Sequence, residues 1–235
     1  ALQKIYEREF EKLVYKAKEL TDSPNICLSG GCAYNGVANV LAYKHFKSVF
    51  IPFAPSDAGS AIGACLVNDP YSGYAVDNST PYLGNGYSYN EIKKILINYK
   101  DKVTAEYFDY DNLVVKTAEI INNQKIVAWF QGRMEFGARA LGNRSILASP
   151  REASMRDKLN RVIKKREGFR PFAPSVTVDQ ASTWFDLNQS VPYMNIVLQA
   201  KTNKFQAATH IDGSCRVQTV DKYQNKLYYK LLKEL

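Results

Sequence analysis

The first twenty residues repeat apolar and polar positions with the period of a helix. One stripe of this segment carries its apolar side chains, which are Ile5, Phe10, Leu13, Val14, Ala17 and Leu20. A single apolar stripe on an otherwise polar helix is typical of a helix that lies on a larger body. We therefore predict a helix over residues 1–20 that covers part of a core.

A strand–helix–strand unit is predicted next. Residues 25–28 and 48–53 are short apolar runs, and residues 33–46 between them have a helical pattern. Two strands joined by a crossover helix pair in parallel. Residues 56–65 are mostly small and predict a helix in close contact with a neighbour.

Beyond this unit the composition changes to Asn, Asp, Gly, Ser, Pro and Tyr over residues 68–89, which is typical of a linker. Apolar patterns then predict helices at 90–99, 113–122 and about 155–163, and strands at 103–108, 125–130, 175–178 and 193–199. The order of elements predicts a mixed α/β fold, and the linker predicts two domains.

Length and composition allow a sizeable core and indicate a cytoplasmic protein. The 235 residues are 46% hydrophobic, yet no run of 18 apolar residues exists, and the N-terminus has no signal-peptide pattern. Neither a membrane partner nor secretion is therefore expected. Four cysteines lack the C-x-x-C spacing of zinc sites, so we expect buried, reduced thiols at Cys27, Cys32, Cys65 and Cys215.

The positive charge of the chain is concentrated in one window. Residues 133–170 contain eight arginines, three lysines and four carboxylates, a local charge of +7 in a chain of formal charge +8. Arginine matches phosphate oxygens bidentately, and the interspersed glycines let backbone amides face an anion. The pattern favours a compact phosphate ligand. A solvated basic face is the alternative, but it leaves unexplained the interleaved Trp129, Phe136, Phe169 and Phe172.

Three further features have two interpretations each. The glycine pair of SGGCAYN follows a strand and opens a helix, which suits an anion, although such pairs are often only tight turns. Asp57 either caps a helix or ligates a metal, and capping is the commoner role. Glu135 either pairs with the arginines around it or contacts a ribose hydroxyl. The chain contains neither a P-loop nor a GxGxxG motif.

Several strings together resemble the O-carbamoyltransferases of the NodU/CmcH family, which includes nodulation and antibiotic-tailoring enzymes. They are GRMEFGARALGNRSIL, IKKREGFRPFAPSV, HIDGSCRVQTV, LSGGCAYNGVAN and SDAGSAIGA. The resemblance covers nearly the whole chain. It implies the end of an ASKHA-type domain over residues 1–78, followed by a YrdC-like domain with a twisted mixed sheet over residues 79–235.

The resemblance also implies an activity. The YrdC-like domain joins ATP and carbamoyl phosphate into a carbamoyl-adenylate with release of pyrophosphate. The ASKHA-type domain then moves the carbamoyl group to a hydroxyl of a small molecule or glycan. A divalent metal, Mg or Fe, is implied in the first domain. Its partner ligands, a His-x-x-x-His pair, belong to a stretch that this sequence lacks, so we expect the chain to be part of a longer enzyme.

Site residues are carried over by the same resemblance. Lys164 and Arg170 match the basic pair that holds carbamoyl phosphate, and we assign them the catalytic role. The residues assigned to ATP and carbamoyl phosphate binding are Arg133, Glu135, Arg139, Asn143, Arg144, Ser145, Arg166 and Arg216. Those assigned to the nucleotide-contacting loop of the first domain are Gly30, Gly31 and Asn35. Asp57 matches the aspartate metal ligand.

Two other functions use the same residues. A nucleic-acid-binding module would place the basic strip on the backbone and stack bases on Tyr and Phe. A threonylcarbamoyl-adenylate enzyme would share the YrdC-like fold and act in tRNA modification. The EFGARALGNR string favours the O-carbamoyl family over both, and no nucleic-acid partner is expected. The sequence indicates neither the acceptor nor the oligomeric state.

Overall fold

The computed structural model describes residues 1–68, 80–187 and 189–235. The first element is helix α1, Leu2–Glu19, which confirms the predicted amphipathic helix. Val14 is buried in the main core, with Phe10 and Ala17 partly buried beside it. Leu13, on the same predicted stripe, stays exposed. The helix therefore covers the core along only part of its apolar face.

The strand–helix–strand unit is present, with one correction. Strands β1, Asn25–Cys27, and β2, Ser48–Phe50, pair in parallel as predicted. The continuous helix predicted at 33–46 is wrong, because three short helical segments replace it: a 3₁₀ turn at Gly31–Tyr34, helix α2 at Gly36–Asn39, and a 3₁₀ turn at Val40–Lys44. Asn35 causes the break, since its backbone leaves the helical region and its side chain accepts from the amide of Ala38.

Helix α3, Asp57–Asn68, confirms the predicted small-residue helix. The predicted domain boundary at residue 78, and residues 69–79 of the predicted linker, lie outside the described residues. Residues 80–88 form neither helix nor strand, and they bond to the basic window. The Gly84 amide donates to Met134 O at 2.9 Å, and the Phe136 amide donates to Pro81 O at 2.6 Å. This part of the predicted linker is therefore packed against residues 134–136.

Two helices follow, α4 at Tyr89–Asn98 and α5 at Tyr110–Asn122, and both were predicted. A capping box of Ser88 and Glu91 starts the first of them. The strand predicted at 103–108 is wrong. Residues 103–107 are exposed and do not pair with another described strand. β-Propensity reflects packing on a half-buried surface, and no such surface covers these side chains.

The basic window, residues 133–170, begins after one strand and contains a second strand and a helix. Strand β3, Val127–Phe130, pairs antiparallel with β4, Arg144–Leu147. Helix α6, Ser154–Lys158, continues into a π-helical turn at Leu159–Lys164. This wider turn rotates the apolar face, so Val162, predicted to face the core, is 62% exposed.

The remaining strands form two more pairs. Strand β5, Ser175–Thr177, is parallel to β8, Gln218–Val220, and β6, Val197–Gln199, is antiparallel to β7, Ser214–Arg216. Helices α7, Ala181–Trp184, and α8, Lys226–Glu234, complete the described elements. The mixed α/β class is confirmed. The predicted twisted mixed sheet takes the form of separate two-stranded sheets, because long loops separate strands of three or four residues.

The main core draws on both ends of the chain. It joins Phe46, Val49 and Ile51 to buried residues of the second half, among them Val176, Phe185, Ile196, Cys215 and Val217. The buried Asn39 side chain links the halves further, since its Nδ2 donates to Ala33 O at 2.7 Å and to Asn195 O at 2.9 Å. The two predicted domains thus share one hydrophobic core.

The four cysteines are free thiols, but they are not all buried. Cys215 is buried in the main core, whereas Cys27, Cys32 and Cys65 are exposed. The prediction of buried thiols is therefore wrong for three of the four. Cys27 lies on the outward face of a two-stranded sheet, and a pair of strands this small covers one face only.

Candidate functional site

A cavity of about 1030 Å³ lies in the second half of the chain, between β4, the π-helical turn, β5 and α8. Its basic lining residues are Arg139, Arg151, Lys164, Arg166, Lys204 and Lys233, and within the described parts of the chain no aspartate or glutamate lines it. Aromatic side chains complete the wall at Phe172, Trp184 and Phe205. A basic chamber with apolar walls of this size suits a phosphate ligand that carries a ring.

The loop of residues 131–144 is organised around Glu135. This carboxylate is buried, and its Oε1 accepts from the backbone amides of Leu141 at 2.6 Å, Asn143 at 2.9 Å and Arg144 at 3.3 Å. Three converging amides compensate a buried carboxylate. Of its two predicted roles, structural pairing is what the geometry shows, and the partners are amides rather than guanidinium groups.

Asn143 extends this network to α8. Its Nδ2 donates to Arg133 O at 2.7 Å, and its Oδ1 accepts from Gln131 Nε2 and Asn225 Nδ2, both at 2.9 Å. Gln131 Nε2 also donates to Asn225 Oδ1 at 2.7 Å. Asn143, predicted to bind a ligand, therefore has its amide group engaged within the protein. Gln131 and Asn225 were missed, because nothing in the sequence marks an amide as buried.

Arg133 and Arg144 bond to backbone carbonyls of their own neighbourhood. Arg133 donates to Gly84 O at 2.9 Å and to Leu83 O at 2.7 Å. Arg144 lies on the Phe130 ring, 3.5 Å from its centroid, and its four bonds go to the carbonyls of Gln131, Asn143, Asn85 and Gly132. The structure places both guanidinium groups in loop stabilisation, and neither lines the cavity.

Two glycines allow the loop to approach its neighbours. Gly142 has φ +107°, and a Cβ there would collide with the ring of Tyr228. Gly137 has φ +122°, and a Cβ would lie 2.8 Å from Phe53 O. Only glycine fits both the backbone conformation and the space. Ser145 closes the loop, since its Oγ accepts from the Gly142 amide at 2.9 Å, and it lines the cavity.

The second basic loop, residues 160–170, is organised around Asn160. This side chain is fully buried, and its Nδ2 donates to Gly168 O at 3.2 Å and to Arg170 O at 3.0 Å. Its Oδ1 accepts from Arg166 Nε at 2.7 Å. Lys165 turns the chain with φ +47°. Asn160 was missed by the sequence reasoning, although it holds the Arg166 side chain and the Arg170 backbone.

The basic residues of this loop face different surroundings. Lys164 is exposed and lines the cavity. Arg166 also lines it and stacks on Phe172, 4.9 Å from the ring centroid. Burial, with a smaller effect of Arg170, lowers the pKa of Arg166. Arg170 is not among the lining residues, and its Nη1 lies 3.8 Å from the Glu167 carboxylate.

Arg139 and Arg216 form a pair beside the cavity. Burial, followed by repulsion from Arg139, lowers the pKa of Arg216. Arg139 lines the cavity and lies 5.6 Å from the centroid of the Tyr34 ring, in the turn that follows the glycine pair. The Nε atoms of both arginines are buried, and neither has a hydrogen-bond partner among the described residues. Two cations held together in this way favour an anion.

The residues predicted for the nucleotide loop of the first domain flank Tyr34 in the sequence, since Gly30 and Gly31 begin its turn and Asn35 ends it. The Gly30 amide donates to Pro55 O at 2.6 Å. Gly31 faces open space, since no atom of the described residues lies within 4 Å of the position that a Cβ would occupy there. Asn35 caps α2 through Ala38 and also bonds to Gln3. These contacts are structural, and their nucleotide role stays a prediction.

Asp57 is the first residue of α3, so it lies in the first turn and not at the N-cap, which is the residue before it; a carboxylate there is favoured by the helix dipole. Over residues 1–68, 80–187 and 189–235 no group of three or more His, Cys, Asp and Glu side chains forms a metal site. The described residues thus do not assemble the implied metal centre. In the same ranges, no helix combines the length and the apolar character needed to cross a membrane.

Comparison with known proteins gives the family. A family model described as Carbamoyltransferase C-terminus matches residues 118–235, and one described as Carbamoyltransferase N-terminus matches residues 1–66. The chain belongs to the carbamoyltransferase family. The first match contains the loops around Glu135 and Asn160 and all of the cavity lining.

Relatives in this family align along almost the entire chain. Nodulation protein NolNO of Sinorhizobium fredii is 36% identical over 99% of this chain and 36% of its own length. Nodulation protein NolO of Bradyrhizobium diazoefficiens is 36% identical over 99% of this chain and 44% of its own. A 3'-hydroxymethylcephem-O-carbamoyltransferase of Amycolatopsis lactamdurans is 34% identical over 97% of this chain and 43% of its own. The chain therefore spans less than half the length of these relatives.

Proposed function

We propose that the protein is an ATP-dependent O-carbamoyltransferase that acts through a carbamoyl-adenylate. The observation that carries this proposal is the cavity, with six basic side chains and no aspartate or glutamate in its described lining. Its volume of about 1030 Å³ suits a nucleotide together with a small donor. The family membership and the name of the cephem-modifying relative support transfer of a carbamoyl group to oxygen.

The proposed first reaction joins two anions. Water cleaves carbamoyl phosphate to carbamate and inorganic phosphate. A carbamate oxygen then attacks the α-phosphorus of ATP, the bond to the β-phosphate breaks, and pyrophosphate leaves. Bringing a carbamate to a triphosphate costs electrostatic repulsion. Fixed cations in a site that excludes water offset this repulsion and stabilise the charge of the transition state.

The basic residues divide this work according to their mobility. Arg139 lies against the Tyr34 ring. Arg166 stacks on Phe172 and bonds to Asn160. Both guanidinium groups therefore point in fixed directions. Lys164 lies on the exposed cavity rim, and its flexible side chain suits the phosphate that leaves. Phe172 and Trp184 offer flat apolar surface for the adenine ring.

Arg170 and Arg216 flank this chamber. The Arg170 backbone is fixed by Asn160, while its guanidinium group lies near Glu167 with 53% of the side chain exposed. We assign Arg170 to the entry of the donor phosphate. Arg216, next to Arg139, supplies a second donor group for the same anion. No nucleophilic side chain is required, because the carbamate oxygen is the nucleophile.

In the second proposed reaction, an acceptor hydroxyl attacks the carbamoyl carbon and AMP leaves. Arg139 contacts Tyr34, which follows Gly30 and Gly31, so the basic site adjoins the loop assigned to the nucleotide of the first domain. This proximity supports passage of the adenylate from one site to the other. A small molecule or glycan with a free hydroxyl is the proposed acceptor.

Pyrophosphate release tests the first reaction. The purified protein is mixed with ATP, with carbamoyl phosphate, and with both, and release is expected only with both. Arg139→Ala should lower the rate by about a hundredfold, a typical loss for one group that stabilises transition-state charge. The matched control Arg8→Ala removes an exposed arginine of α1 that pairs with Glu9 outside the cavity, and it should leave the rate unchanged within about twofold. Equal release without carbamoyl phosphate would contradict the proposal.

A further inference from the structure

Six basic side chains line the cavity, and three of them already have an acceptor in the protein. These three each donate to a protein oxygen at 3.1 Å or less, and they are Arg151, Arg166 and Lys233. Among the described residues, no oxygen accepts a hydrogen bond from the side chains of the other three, Arg139, Lys164 and Lys204. Arg139 and Lys164 belong to the strings that carry the family resemblance, whereas Lys204 lies outside all of them. Lys204 is therefore a free cation of the cavity that the proposed reactions have not used.

The Lys204 ammonium group rests on an aromatic ring. Its Nζ lies over the Trp184 ring, 5.0 Å from the centroid. Both side chains line the cavity, and Lys204 is exposed while Trp184 is half-buried. A cation over a ring face is attracted to the ring, but at an exposed site this contact is weaker than a hydrogen bond to a charged oxygen. The ring therefore holds the ammonium group only until an anion enters the cavity.

The backbone around Lys204 is anchored, so its side chain is the part that can move. The Lys204 amide donates to Thr202 Oγ1 at 3.2 Å, and the Lys201 amide donates to Trp184 O at 2.8 Å. The next residue, Phe205, is buried in the main core. A lysine has a flexible four-carbon stem. The ammonium group can therefore leave the ring while the loop stays in place.

Trp184 is also one of the two rings to which the adenine ring is assigned above. Because Lys204 covers a face of this ring, a base that stacks on that face has to displace the ammonium group. A nucleotide brings a partner for each side chain. Its base covers the ring, and its phosphate oxygens accept from the displaced ammonium group.

Resting on the function proposed above, we propose that Lys204 is a nucleotide-binding residue of the cavity. In the free protein its ammonium group occupies the face of Trp184. When ATP binds, the base takes that face and Lys204 donates to the phosphate chain. Lys164 and Lys204 then serve different substrates, the first the carbamoyl donor and the second the nucleotide.

Calorimetric titration of ATP and of adenosine tests both halves of this proposal. Lys204→Ala should bind ATP about tenfold more weakly, because one hydrogen bond to a charged phosphate is lost. The same variant should bind adenosine about threefold more tightly, because adenosine has no phosphate to offer the ammonium group that it displaces from the ring. Lys204→Arg keeps a cation that binds phosphate and should retain most of the ATP affinity. Lys201→Ala is the matched control, since Lys201 is an exposed lysine of the same loop that does not line the cavity, and it should change neither affinity.

The outcomes separate this inference from the proposed function. Opposite changes for ATP and adenosine in Lys204→Ala support it, because a variant that only damages the fold would weaken both ligands. Equal ATP affinity in wild type and Lys204→Ala, or equal losses in Lys204→Ala and Lys201→Ala, overturns the inference and leaves the proposed function standing. An adenosine affinity that stays equal or falls in Lys204→Ala overturns it too, since base and ammonium group would then not compete for the ring. Absence of ATP binding to the wild type would overturn both proposals.

Discussion

The two basic loops of the second half use the same residue types in opposite ways. In residues 131–144, Arg133 and Arg144 donate to backbone carbonyls around them, and the buried Glu135 holds three amides. In residues 160–170, a neutral amide, Asn160, holds the backbone, and Lys164 and Arg166 line the cavity. In the first loop Arg133 and Arg144 serve the structure of the loop and only Arg139 lines the cavity, whereas the second loop presents both Lys164 and Arg166 to the cavity.

The comparison shows that arginine content alone does not predict whether a loop faces a ligand. Both loops combine arginine, glycine and phenylalanine, so charge and composition alone give them the same function. The guanidinium groups differ in how many backbone carbonyls they bond, since Arg133 bonds two and Arg144 four, whereas Arg166 bonds only Pro171 O at 3.5 Å. A buried side chain in each loop, Glu135 or Asn160, sets that geometry. Substitutions in the two loops are expected to differ in how far they lower the free energy of unfolding and how far they weaken carbamoyl phosphate binding.

The largest effect is expected at the buried carboxylate of the structural loop. Glu135→Ala leaves three amides without their acceptor, and each unpaired buried donor costs about 1–3 kcal/mol. We expect the free energy of unfolding to fall by at least about 3 kcal/mol in urea titration. Glu167→Ala, the exposed carboxylate of the other loop, should change it by less than about 0.5 kcal/mol. Similar losses of unfolding free energy in both variants would contradict the structural role of Glu135.

Asn160→Ala should have the next largest effect. The change unpairs two carbonyls and the Arg166 Nε group, which costs about 2 kcal/mol of unfolding free energy. It should also raise amide hydrogen exchange at residues 165–170 and weaken carbamoyl phosphate binding. Asn98→Ala on exposed α4 is the control and should alter neither. Normal exchange in this loop after Asn160→Ala would show that the amide does not hold it.

Arg144 and Arg170 are expected to have opposite effects, one on stability and the other on ligand binding. Arg144→Ala removes four carbonyl bonds and the contact with Phe130, so unfolding free energy should fall by about 2 kcal/mol. Arg170→Ala should change it by less than about 0.5 kcal/mol and weaken carbamoyl phosphate binding instead. Thermal unfolding and calorimetry on both variants measure the two effects. A stable Arg144→Ala protein would contradict the structural role.

The smallest effect is a dependence on pH through His210. Its pKa is lowered in the folded protein from the ordinary 6.5, so the unfolded chain binds more protons just below that value. The contribution is fully present above pH 6.5 and is lost as pH falls through the interval down to the folded pKa. Stability should therefore decrease from about pH 7.5 to about pH 5.5. His210→Phe should flatten this part of the urea midpoint curve, and an unchanged slope would assign the effect elsewhere.

Much of the fold could be predicted from the sequence because it depends on local patterns. The amphipathic stripe of α1, the parallel pair β1–β2 and the strand at β3 each follow from periodicity over a few residues. The error at 103–108 has the opposite cause, since a β-prone segment needs a partner to become a strand. The break at Asn35 was missed because a single cap outweighed the helical pattern on both sides.

The candidate site was predictable in composition but not in geometry. Motifs drew attention to Arg139, Lys164 and Arg166, which line the cavity. They did not reveal that Arg133 and Arg144 are engaged by carbonyls, because those partners come from the folded loop and from residues 83–85. Asn160 lies outside the quoted strings, and the string HIDGSCRVQTV contains His210 without showing its burial or its hydrogen-bond partners.

Two neighbouring lysines allow the most direct test of the central claim, which is that the cavity between the loops binds the carbamoyl donor. Lys164 lines the cavity and Lys165 does not, although both are exposed and have the same charge. Calorimetric titration of carbamoyl phosphate should show about tenfold weaker binding in Lys164→Ala and unchanged binding in Lys165→Ala. Equal affinities in wild type and Lys164→Ala, or equal losses in the two variants, would contradict the assignment of the cavity.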